Sequence, residues 1–88
     1  MVIYRSKWEI IKEILSIIQI ENDAKKTRIM HKAYIDWKNF NKHFTFLLNE
    51  NFIYRTEKDN YLLTEDGNKL LRKLEDISVV MNKMQSVT

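Results

Sequence analysis

The sequence has no cysteine, no proline and a single glycine, Gly67. Without cysteine there is no disulfide, no thiolate zinc site and no cysteine nucleophile. One glycine cannot build a Gly-rich phosphate loop, and without proline little interrupts a helix. Long apolar runs are also missing. The longest, Ile14–Ile20, is broken by Ser16 and Gln19, far short of the ~20 residues that span a bilayer. The opening MVIYRSKWE brings charge too early for a secretory signal, so a soluble cytoplasmic protein is expected. The two histidines, His31 and His43, have no partner at ligand spacing and are expected at the surface or an edge rather than on a metal. Glu9, Glu13, Glu65 and Asp66 read as helix-surface and capping carboxylates. The hydroxyl residues lack a convincing histidine base, so no catalytic site and no cofactor is expected.

What is present is globular. In 88 residues, 44% are apolar and 11% aromatic, the composition of a folded chain rather than a disordered one. A chain this short buries only ~60% of its unfolded surface, so a second chain would help it. The net charge of +3 is unevenly placed: residues 1–23 sum to −1, residues 24–46 to +5 and residues 47–88 to −1. Positive charge concentrated in one central block is the footprint of a polyanion site.

The pattern reads as helices and one hairpin. Ser6-x-x-Glu9 fits a capping box, followed by Trp8, Ile11, Leu15 and Ile18 at helical spacing with Ile10, Ile14 and Ile17 widening the stripe. So wide an apolar face predicts a central helix, ending near Ile20. A short helix is predicted over about Ala24–Ala33, capped by Asn22 or Asp23. After the connection Tyr34-Ile35, Asp36 caps a third helix to about Glu50, with Phe40, Phe44, Leu47 and Leu48 on one side and Trp37 at its edge. Phe52–Glu57 and Tyr61–Leu63 flank a polar turn, which predicts a hairpin. Thr64 caps the last helix, with Leu70, Leu74, Ile77, Met81 and Met84 at 4, 3, 4, 3 spacing.

The expected fold is mainly α with a small β-hairpin: a winged helix-turn-helix with a long C-terminal helix. Residues 1–75 would form the domain and 76–88 an extension of the last helix that serves in dimerisation. Lys25, Lys26, Arg28 and Lys32 on the second helix are expected to contact phosphates. Lys38, Asn39, Asn41, Lys42 and Thr45 on the third are expected to face the major groove, where lysine and asparagine can pair with guanine and adenine edges. Arg55 and Lys58 mark the wing. Leu74, Ile77, Met81 and Met84 would form the seam of a homodimer, because a three-helix core offers little to cover the end of the last helix.

Several stretches resemble a family of small archaeal winged-helix proteins, which contains predicted transcriptional regulators and ten-kilodalton dimeric chromatin-associated DNA-binding proteins. These are Arg5-Ser6-Lys7 with Glu9-Ile10-Ile11 and Ile14-Leu15, then Ala24-Lys25-Lys26-Thr27-Arg28-Ile29-Met30, then Phe52-Ile53, and Tyr61-x-Leu63-Thr64-x-x-Gly67. The resemblance covers roughly residues 5–75. It implies a double-stranded DNA binder that dimerises through its C-terminal helix as an antiparallel coiled coil. Two positions depart from the family's pattern: Asn51 stands where glycine is usual before the wing, and Asp36 where serine usually opens the reading helix. The expected partners are duplex DNA and a second copy, with no membrane and no small-molecule ligand. The alternative reading is a winged helix that docks an acidic protein on its basic face.

Overall fold

The computed structural model describes residues 6–86, with side chains described to Lys83. Arg5 and the last two residues therefore lie outside the described residues, as does the Met84 side chain. The order is α1 (Lys7–Glu21), α2 (Lys26–Ala33), α3 (Trp37–Asn49), β1 (Ile53–Arg55), β2 (Tyr61–Leu63) and α4 (Glu65–Ser86). This is the expected winged helix-turn-helix: four helices, with an antiparallel hairpin in which Ile53 faces Leu63 and Arg55 faces Tyr61.

The broad apolar stripe of α1 makes it the centre of the fold. Ile11, Ile14, Leu15, Ile17 and Ile18 are all buried, and the helix packs against α2, α3, α4 and β2. Burying five such side chains contributes about 1.5–3 kcal/mol each relative to exposure. Ser6 accepts the Glu9 amide at 3.2 Å, as the capping box requires. Ile29 and Ala33 of α2, Phe40, Phe44 and Leu47 of α3, Ile53 of β1, and Leu71 and Leu74 of α4 complete the core.

With one glycine in the chain, asparagine and aspartate supply most of the left-handed turns. Asn22, Asn51 and Asp59 have φ of 63°, 60° and 65°, and their short polar side chains tolerate that region better than most. Asn51 closes α3 in a Schellman arrangement. Its amide donates to the Leu48 carbonyl at 3.1 Å, and the Phe52 amide donates to the Leu47 carbonyl at 2.9 Å. Asparagine thus adopts the left-handed conformation at the place where the resembled family usually has glycine. Tyr34 is the unusual member, a bulky residue at φ 56° between α2 and α3.

Gly67 is needed for closeness rather than for φ. Thr64 Oγ1 accepts the Gly67 amide at 3.0 Å and donates to the Asn51 carbonyl at 2.6 Å, while the Thr64 amide donates to the Phe52 carbonyl at 3.0 Å. These bonds press the first turn of α4 onto the start of the hairpin. A Cβ at Gly67 would fall inside the contact radius of the Phe52 carbonyl oxygen.

The start of α2 differs from expectation. Its N-cap is Lys25, which offers no side-chain acceptor. Asn22 instead caps the end of α1, donating its amide to the Ile18 carbonyl at 3.0 Å. Ala24 is buried, and its carbonyl accepts the Tyr61 amide from β2 at 3.2 Å. Tying this connection to the hairpin holds residue 24 out of the helix.

Candidate nucleic-acid interface

The third helix is organised by its first turn. Asp36 accepts the Asn39 backbone amide at 3.2 Å and the Asn39 side-chain amide at 2.8 Å. The Asn39 side chain, helped by the backbone amide, holds the Asp36 carboxyl below its ordinary pKa of 3.8. Asn39 is therefore exposed but already engaged, and its amide serves the cap.

The apolar side of α3 faces inward. Phe40 and Phe44 stack with ring centroids 5.0 Å apart, and Phe44 meets the Tyr61 ring edge-on at 4.7 Å. His43, expected at the surface or an edge, is only 6% exposed. It falls on the same side as Phe40, Phe44 and Leu47, because three- and four-residue spacings share one face of a helix. Burial, with the nearby Lys42 and Lys7 charges, pushes its pKa below 6.5. Phe46 packs half-buried against Phe52 at 6.3 Å, with Lys7 over its ring. Trp37, expected at the edge of this apolar side, is 54% exposed and lies 6.5 Å from Phe40 between ring centroids.

The opposite side presents Lys38, Lys42 and Thr45, all exposed. Neither ammonium group has a hydrogen-bond or ion-pair partner among the described residues. Asn41, also expected there, is half-buried, and its Oδ1 accepts from Lys26 Nζ at 2.9 Å.

The cations of α2 are placed differently. Arg28 and Lys32 turn to the end of α1, where both meet Glu21 Oε1, at 3.1 and 3.5 Å. Lys25 Nζ donates to the Lys58 carbonyl at 3.2 Å, joining the start of α2 to the tip of the wing. Lys26 lies under α3 rather than out in solvent. Besides its bond to Asn41, its ammonium sits over the rings of Trp37 and Phe44, at 4.9 and 5.2 Å from their centroids. Each of the four basic residues therefore has an intramolecular partner. The sequence could not reveal this, because Glu21, Asn41 and Lys58 come from three other parts of the chain. On the wing, Arg55 pairs with Asp59, and Lys58 is exposed.

On α4 the expected seam divides. Leu74 is 8% exposed and belongs to the chain's own core beside Leu71, since α1 reaches further along α4 than its spacing suggested. Ile77 and Met81 are 54% and 55% exposed. They continue into an apolar groove walled by Trp8, Leu70 and Leu74. Among the described residues no group of three or more His, Asp or Glu could hold a metal ion. No described helix is long and apolar enough to cross a membrane.

Residues 4–82 match the winged helix-turn-helix family. The chain belongs to that family. It is 45% identical over 78 residues to the uncharacterized protein MJ0287 of Methanocaldococcus jannaschii, covering 89% of this chain and 78% of the relative. It is 41% identical over 73 residues to the uncharacterized protein MJ0290 of the same archaeon, covering 83% of this chain but only 34% of that longer protein. A winged helix-turn-helix domain points to DNA binding in general and is typically not an enzyme.

Proposed function

We propose that this protein binds double-stranded DNA as a homodimer, with α3 in the major groove, and acts as a transcriptional regulator or a sequence-tolerant chromatin protein. The observation that carries the reading is the outer side of α3, where Lys38 and Lys42 stand exposed with no internal partner among the described residues. A major groove admits one helix, and a helix-turn-helix domain offers its second helix to it. The Lys25 ammonium is held on the Lys58 carbonyl where α2 and the wing touch, while the exposed Lys58 side chain supports phosphate contact at that edge of the same site.

The dimer rests on α4. Ile77, Val79, Val80 and Met81 are each more than half exposed on a helix whose earlier apolar residues Leu71 and Leu74 are buried, and clustered exposed apolar residues favour a second chain. A dimer pairing these segments would hold two reading helices on one duplex, matching half-sites about one DNA turn, ~34 Å, apart.

Gel shifts on random duplex DNA at two salt concentrations test the binding. A dimer that neutralises on the order of 6–10 phosphates gives an affinity falling steeply with salt; a flat affinity sinks the reading. Sedimentation at tens of micromolar tests the dimer, and a monomer there removes it.

A further inference from the structure

The contact between Lys26 and Asn41 limits what α3 can read. An asparagine pairs with adenine by using both ends of its amide: the oxygen accepts from N6 and the nitrogen donates to N7. Here one end is occupied, with Lys26 Nζ 2.9 Å from it. A lysine ammonium has three donors and no acceptor, so the atom facing it must be the oxygen. The nitrogen is left to point elsewhere, and it can only donate.

Lys26 is well held in this role. Its ammonium is seated over Trp37 at 4.9 Å and Phe44 at 5.2 Å, and Phe44 is itself fixed in the core. A cation over two rings gains attraction that a solvated lysine lacks, so withdrawal to a phosphate would give up three contacts. Asn41 remains half-exposed on α3, one residue before the exposed Lys42.

Resting on the major-groove placement of α3 proposed above, we infer that Lys26 is a positioning residue: by drawing the Asn41 oxygen to its ammonium, it turns the amide nitrogen outward as the group that reads. Guanine, whose O6 and N7 are both acceptors, is then preferred opposite Asn41 over adenine, which offers the amide nitrogen one acceptor at N7 and sets a donor, N6, beside it.

Selection of duplexes from a randomised library by the full chain tests this, run in parallel with N41A and K26M. Wild type is expected to enrich guanine at one position whose preference disappears in N41A. K26M keeps the aliphatic stem but frees the amide to turn, and should shift the guanine-to-adenine ratio at that position toward adenine by about tenfold. Three results each overturn the inference while leaving DNA binding intact: adenine at the Asn41-dependent position in wild type, no position altered by N41A, or an unchanged preference in K26M that circular dichroism shows to be folded. If K26M does not fold, wild type and N41A decide the question between them. Failure of wild type to retain any duplex at low salt is the distinct outcome that removes the proposed function, and this inference with it.

Discussion

The helices α2 and α3 both carry lysines at helical spacing, and both end at a turn that leads into the next element, yet their polar groups have different fates. Those of α2 are taken up by neighbours: Glu21 holds Arg28 and Lys32, Asn41 holds Lys26, and the Lys58 carbonyl holds Lys25. On α3, Lys38 and Lys42 face outward unpaired among the described residues. The helix starts differ in the opposite sense. Asp36 caps α3 with its carboxylate, whereas α2 begins at a lysine that cannot accept. The eight-residue α2 is too short to stand alone. It is held by contacts along its length, and the thirteen-residue α3 by its cap and one apolar face. A basic residue is thus available to a ligand only where its helix does not need it for attachment.

The strongest way to break this contrast is to remove what both helices share. Phe44 supports Phe40 and Tyr61 and lies under the Lys26 ammonium. F44A should lower the unfolding free energy by about 3–5 kcal/mol, measured by chemical denaturation, and should loosen α2 and α3 together. Loss confined to α3 by hydrogen exchange would show that α2 is held without it.

Next in size is binding. K38A with K42A should weaken duplex DNA binding substantially, on the order of 1–3 kcal/mol for each lost base contact. R28A with K32A should change it far less, because those groups already face Glu21 and an exposed ion pair of this kind is worth ~0–1 kcal/mol. Titration of one duplex with both double variants checks this. Equal losses would erase the distinction between the two helices.

The caps offer a smaller test, with opposite signs expected. D36A should lower the melting temperature by removing the acceptor for Asn39. K25S should raise it, since a serine there supplies the missing acceptor for α2, a gain of roughly 0.5 kcal/mol by analogy with other N-caps.

The smallest effect is in pH. His43 on the inner side of α3 has its pKa lowered in the fold, chiefly by burial. The unfolded chain therefore binds a proton first, and the stability contributed by neutral His43 is present above pH 6.5 and lost as pH falls below it. Asp36 works in the same direction lower down: its depressed pKa makes the cap's contribution present above about 3.8 and lost below that range. Thermal melts at stepped pH should show the upper phase disappear in H43F and the lower one in D36N. An upper phase that survives in H43F would place its origin elsewhere.

Much of the fold was legible in the sequence because it rests on short-range chemistry. The caps at Ser6, Asp36 and Thr64 act within three residues, and the hairpin and the apolar stripe of α1 follow from neighbouring residue types and spacing alone. The exposed lysines of α3 were legible for the same reason: they stand opposite a clear apolar face. What only the tertiary structure decided is which face of each element meets another. That Lys26 sits under Trp37 and against Asn41, that Glu21 takes Arg28 and Lys32, that His43 and Leu74 are buried while Ile77 is not, and that Gly67 must clear the Phe52 carbonyl all depend on residues from separate elements. Helical periodicity tells which side chains share a side, but the partner each side meets is set by how the other helices and the hairpin pack around α1.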